Sequence, residues 1–213
     1  MKKLFSLLSV ILFLSFTSAK AEVSWGIGLM AGQVSSSGTE SEGTAADTST
    51  RSASFDEFFV GADIFVEKEL TNGLTVGVSY VPVDVELASG KRTDTSTGAD
   101  AAAEADTGTR TASADLSDLI TLYTNIPMGS NGVYGLAGVH YTEVTTSETL
   151  NESSYGNEQI FGGQIGIGKK SGNGKVELFY SDFEDISISA TGGGTNSVTA
   201  DADALTLRFS IGF

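Results

Sequence analysis

The chain has 213 residues, no cysteine, 26 glycines, only 2 prolines and a formal net charge of −15. That length allows one domain, the missing cysteines exclude a disulfide framework, and the acidity argues against a nucleic-acid partner. Apolar residues are nowhere arranged at convincing helical spacing, so the periodicity worth reading is that of strands.

The chain starts with Met1-Lys2-Lys3, followed by an almost wholly apolar run over residues 4–16 and then Ala19-Lys20-Ala21. A basic start, a short apolar stretch and small residues two apart form the layout of a secretory signal peptide. The run is too short to span a bilayer as a helix, which takes about 20 residues. Cleavage is expected after Ala21, giving a signal peptide over 1–21 and one domain over 22–213. Lys2, Lys3 and Lys20 leave with the signal and no acid does, so the remainder is still more acidic.

Eight amphipathic segments follow. The first, 23–34, sets Val23, Trp25, Ile27, Leu29 and Ala31 against Ser24, Gly26, Gly28 and Gly32. In the second, 55–70, Phe58, Val60, Ala62, Ile64 and Val66 alternate with Phe59, Gly61, Asp63, Phe65 and Glu67. Thr71-Asn72-Gly73 is a tight-turn signal. The third, 74–87, places Leu74, Val76, Val78 and Tyr80 outward. Its phase then slips to Val83, Val85 and Leu87, with Pro82 at the slip, where a bulge accommodates a residue that cannot donate to the ladder. Residues 88–113 are polar and nearly free of aromatics, and read as a long mobile loop.

The fourth segment ends with Ile120, Leu122, Thr124 and Ile126 outward over Leu119, Thr121, Tyr123 and Asn125. After a short turn at 127–132, the fifth puts Val133, Ala137, Val139 and Tyr141 outward and Tyr134, Leu136, His140 and Thr142 inward. The sixth exposes Phe161, Ile165 and Ile167, and Ser171-Gly172-Asn173-Gly174 makes a third short turn. The seventh exposes Val176, Leu178, Tyr180, Ile186 and Ile188 over Glu177, Phe179, Ser181 and Phe183. The last strand alternates Leu205, Leu207, Phe209, Ile211 and Phe213 with Thr206, Arg208, Ser210 and Gly212. Short turns follow segments two, four and six; long polar links follow segments one, three, five and seven.

Strict short–long alternation is the pattern of a barrel whose turns lie in the periplasm and whose loops lie outside. From signal to terminal Phe, the chain resembles the small eight-stranded outer-membrane barrels of the OmpA, OmpX and opacity-protein type. The expected fold is all-β, a transmembrane antiparallel up-and-down β-barrel of eight strands in the outer membrane of a Gram-negative envelope. The resemblance implies that the barrel-assembly machinery reads Phe213. The other expected partners are outer-membrane lipid and lipopolysaccharide. The loops match no specific ligand motif.

Four inward charges stand out: Arg208, Glu177, Glu67 and Asp63. An eight-stranded interior is just wide enough for side chains to fill it, and a guanidinium there needs carboxylate partners. A structural ion-pair network with Arg208 in reach of Glu177, Glu67 or both is the preferred reading. A plug or gate controlling ion leakage is the functional one. Trp25 and Phe213 are expected near one membrane face and Tyr80 near the other, as interfacial aromatics.

His140 is the single histidine, with Thr142, Glu143, Ser147 and Glu148 near it, but the spacing matches no nucleophile motif. A lumen or rim histidine is the simpler account. The loop acids Glu40, Glu42, Asp47, Asp94, Asp100, Glu104 and Asp106 lack the close fixed spacing of a calcium loop and read as solvated charge. No phosphate-binding glycine loop, metal cluster or dinucleotide fingerprint is present, so no cofactor is expected. The expected function is non-catalytic: surface structure, adhesion or envelope integrity. A narrow porin-like channel is the alternative, and a lipid-modifying barrel enzyme a distant third.

Overall fold

The computed structural model describes residues 23–44, 47–94, 108–149, 154–191 and 196–213. The expected signal peptide over 1–21 lies outside them, as do Asp100, Glu104 and Asp106. Ten strands run in chain order: β1 (Val23–Thr44), β2 (Asp47–Glu69), β3 (Thr75–Val81), β4 (Val85–Asp94), β5 (Gly108–Pro127), β6 (Val133–Glu148), β7 (Glu158–Ser171), β8 (Gly174–Phe183), β9 (Ile186–Ser189) and β10 (Ser197–Gly212). β3 and β4 lie end to end along β5, and β8 and β9 lie end to end along β10, so the ten strands make eight staves. Every pairing is antiparallel, and β1 pairs with β10 from Gly26↔Gly212 to Ser41↔Ser197. That last pairing closes the sheet on itself at the level of β3 and β8, while further out, among the described residues, β4 pairs only with β5 and β9 only with β10.

The outward face is apolar around the ring: Leu29, Phe58, Val60, Ile64, Leu122, Val139, Phe161, Ile165, Leu205 and Phe209 are all exposed. A closed barrel with such a band is built to meet lipid. No helix among the described residues is long and apolar enough to cross a membrane; the crossing is made by strands. Trp25 and Phe213 bound the band at the short-turn end. Their rings lie 5.0 Å apart, and Phe213 N–H donates to Trp25 O at 2.7 Å. Gln33, opposite Phe58, lies eight residues further along β1. Tilted strands rising ~3.3 Å per residue put that level about 20 Å away, near the height of a typical apolar band.

The upper boundary follows one hydrogen-bonded row. Tyr80 faces Ile120, Ile120 faces Tyr141, Tyr141 faces Phe161, and Glu184 N–H donates to Phe161 O. Three irregularities sit on this row. β3 gives way to β4 at 82–84, β5 bulges at Asp118, whose φ is 54°, and β8 gives way to β9 at 184–185. A left-handed φ is tolerated better by Asp than by most residues, and Tyr80 Oη donates to Asp118 Oδ1 at 2.8 Å.

Beyond that row the barrel continues as a collar. β1 runs eleven residues past Gln33, roughly 30 Å of tilted strand. Here the sequence reading needs correction. Residues 88–113 are not all loop, since β4 and β5 pair from Val85↔Leu116 out to Asp94↔Gly108. Leu87, Ile186 and Ile188 do not face outward; they are buried in the lumen with Val34, Leu116, Val144, Ile160 and Phe183, and Val85 packs against them. The cause is the solvent. Above the membrane the outward face meets water and the inward face must make a core, so the apolar positions change sides.

Candidate functional site: a charged plug in the lumen

The short-turn half of the lumen is filled by charged and phenolic side chains whose strands bring them to one depth. Arg208 on β10 and Glu177 on β8 are direct cross-strand neighbours, and Arg208 Nη1 donates to Glu177 Oε2 at 2.6 Å. Arg208 also grips Asp63 on β2 with two bonds, Nε to Oδ1 at 3.0 Å and Nη2 to Oδ2 at 2.6 Å. Glu67, expected near Arg208, is held instead by Lys175 Nζ at 2.5 Å and by Tyr123 Oη at 3.1 Å. Tyr134 Oη donates to Glu177 Oε1 at 2.7 Å. Phe65 lies between the two cations, with Lys175 Nζ 4.7 Å and the Arg208 guanidinium 4.9 Å from its ring centre. All of these residues are buried.

Two carboxylates on one guanidinium and a third on an ammonium leave each buried charge with an opposite partner, which is what burial at this depth demands. Removing either cation would strand an acid.

Three glycines make three of the links possible, because each of these three must cross an intervening strand. Asp63 and Arg208 reach each other over Gly28 on β1; a Cβ there would overlap Asp63 Oδ1 and sit 2.7 Å from Arg208 Nε. Tyr123 reaches Glu67 over Gly77 on β3, where a Cβ would overlap the Tyr123 ring. Tyr134 reaches Glu177 over Gly168 on β7, where a Cβ would overlap the Tyr134 ring. Inward glycines are therefore not idle spacers but the gaps through which the plug is tied.

Lys175, Tyr123 and Tyr134 were not singled out by sequence reasoning. Lys175 lies two residues from Glu177 and so shares its face, but it sits at the edge of a turn segment and reads as solvent-exposed there.

Below the plug, a vestibule of about 220 Å3 is lined by Thr75, Asn125, Val133 and Tyr134. Glu69 on β2 and Lys170 on β7, on opposite sides of the ring, pair across it at 3.2 Å. Both are half exposed, so this pair adds little stability. Above the plug lies a cavity of about 60 Å3 that Arg208, Asp63, Met30 and Thr206 help to line.

His140 is buried beside this cavity. Its Nδ1 is 2.8 Å from Thr121 Oγ1, its Nε2 is 3.0 Å from Ser181 Oγ, and its ring stacks on Phe183. Among the described residues no carboxylate is hydrogen-bonded to the ring. Thr142 donates to Ser117 O at 2.8 Å and Glu148 accepts from Tyr155 N–H, so neither joins His140. No group of acids and histidines among the described residues could hold a metal ion.

No protein-family model and no curated protein sequence matches the chain. Among solved structures it is similar to Neisserial surface protein A, at 10% identity and TM-score 0.41, over 88% of this chain and 97% of that one. It is similar to Ail of Yersinia pestis, solved with the heparin analogue sucrose octasulfate, at 12% identity and TM-score 0.38, over 88% and 99%. It is also similar to the outer membrane protease OmpT of Escherichia coli, at 9% identity and TM-score 0.47, over 94% and 100%. The closed antiparallel ring and the outward apolar band make this chain a small eight-stranded transmembrane β-barrel of the outer-membrane type.

Proposed function

We propose that the protein is a non-catalytic outer-membrane barrel acting at the cell surface, in surface structure, adhesion or envelope integrity. The observation that carries this reading is the plug. Arg208, Asp63, Glu177, Lys175 and Glu67 are buried and mutually paired across the lumen, an arrangement suited to sealing rather than to conducting. The Ser181–His140 pair supports the non-catalytic side: it is enclosed, faces the lumen rather than lipid, and among the described residues has no acid hydrogen-bonded to the ring. Outer-membrane lipid and lipopolysaccharide are the partners of the outward face, and the assembly machinery is the partner of Phe213.

A narrow channel is the second reading, favoured by the vestibule below the plug and the cavity above it; conduction would also have to pass the apolar layer of Val34, Leu116, Val144, Ile160 and Phe183. Purified protein in planar bilayers separates the two. The sealed barrel gives no discrete current steps at moderate voltage. Steps that persist in symmetric salt and disappear with heat-denatured protein would replace this proposal with the channel.

A further inference from the structure

The collar is hollow where the layer beneath it is packed. At the level of the row, Val34, Leu116, Val144, Ile160 and Phe183 fill the lumen. A few residues higher, inward positions carry Gly38, Ala114 and Ala200, and a cavity of about 510 Å3 opens between Phe55, Leu87, Val144, Ile186, Ile188 and Val198. That size lies within the range of small-molecule sites, and an apolar wall gives water few partners. Ser36, at its base, is three residues past Gln33, about 8 Å beyond the lipid boundary. Acyl chains of the bilayer do not reach that height, so an occupant comes from the external medium.

The rim supplies the charge. Tyr155 fixes two acids over the cavity: its hydroxyl donates to Glu40 Oε1 at 3.0 Å and its N–H donates to Glu148 Oε1 at 2.5 Å. Arg51, opposite Glu40, is the one cation against the two acids Glu40 and Glu148 among the described cavity residues, and Arg92 stands opposite Arg110 two residues beyond Gly90 and Ala112. Outside the same wall, Asp56, Asp203 and Asp182 stand in one row with Ser35. An anionic head is repelled from such a mouth and an ammonium attracted.

We propose that the collar is a binding site for small cationic amphiphiles, with the apolar tail in the cavity and the amine at Glu40 and Glu148. This goes beyond the surface role proposed above and does not depend on whether the plug conducts.

The test uses the full mature chain in zwitterionic lipid nanodiscs, with empty discs as background. The neutral fluorophore N-phenylnaphthylamine is the probe, and octylamine or octanoate the competitor. Probe fluorescence above background is expected, with octylamine displacing it at a concentration at least tenfold lower than octanoate. Ala114→Phe and Ala200→Phe fill the cavity and should each abolish the signal while keeping heat-modifiable migration. Glu40→Gln with Glu148→Gln should keep probe binding and remove the preference for amine. In the wild type, probe protons should show NOEs to the methyls of Ile186 and Ile188, a readout independent of any variant. No signal above empty discs, no NOE to those methyls, or unchanged binding in the folded filled variants overturns the site. Equal displacement by octanoate overturns its cationic specificity.

Discussion

Arg208 and Asp63 sit on strands that do not touch, and the two hydrogen bonds between them pass over Gly28. A barrel wall is one residue thick, so a side chain can reach past its neighbouring stave only where that stave offers no side chain. The ion pair is thus specified by three residues, one of which carries no charge.

Gly28→Ala should therefore disrupt the plug although it adds only a methyl group. The added carbon has no room beside Asp63 and Arg208, and separating a buried pair costs about 3–5 kcal/mol. Gly90→Ala is the control, since nothing lies within 4 Å of a Cβ there. Urea titration in vesicles, followed by the gel mobility of the folded form, should show a large loss for the first and little change for the second.

Arg208→Ala removes the cation and leaves Asp63 and Glu177 buried without it. Those acids are then left without their counter-charge in the lumen. A loss of about 3–5 kcal/mol is expected, and bilayer current should become larger or noisier than for the wild type. Reduced stability with an unchanged electrical trace would make the pairs purely structural and weaken the channel reading. Arg208→Lys should rescue only in part, because an ammonium cannot reproduce the two-pronged grip on Asp63.

Phe213 joins the seam through backbone bonds to Trp25 and through its ring. Burying an aromatic side chain is worth about 1.5–3 kcal/mol. If the assembly machinery reads this terminus, Phe213→Asp should reduce the level of folded protein in the membrane far more than that figure suggests. Refolding of the same variant from urea into vesicles, without cellular machinery, should be only modestly impaired. Equal surface levels of variant and wild type in cells would rule out the recognition role.

Asp115 lies in the collar, directly opposite Glu86. Burial, then Glu86, then Asp84 raise its pKa above the ordinary 3.8. The native state therefore holds this proton more tightly than the unfolded chain. The resulting penalty is absent below the ordinary value, grows as pH rises towards the raised one, and is complete above it. Asp115→Asn should be more stable than the wild type at neutral pH, with the advantage vanishing in acid.

Within the membrane, period-two alternation was enough to orient nearly every strand, because lipid outside and a narrow polar lumen inside enforce one rule. It placed Arg208, Glu177, Glu67 and Asp63 on the inner face. It could not pair them, since partners depend on stagger around the ring and on the gaps at Gly28, Gly77 and Gly168. The collar was harder to read. Outward Ser, Thr and Asp over inward Ala and Gly resemble loop composition, which hid the strand character of 88–94 and 108–113. Ile186 and Ile188 were placed on the wrong face because the break at 184–185 reverses the alternation, and neither Gly nor Pro marks it.

The row at which β3, β5 and β8 break their ladders has one more consequence. A strand register that is already interrupted absorbs a change of length without passing it on. Insertions or deletions above 82–84, Asp118 and 184–185 can therefore reshape the exposed crown while the lipid-facing staves keep their stagger. The membrane part acts as a fixed socket, and the collar as the replaceable portion that sequence change is free to rewrite.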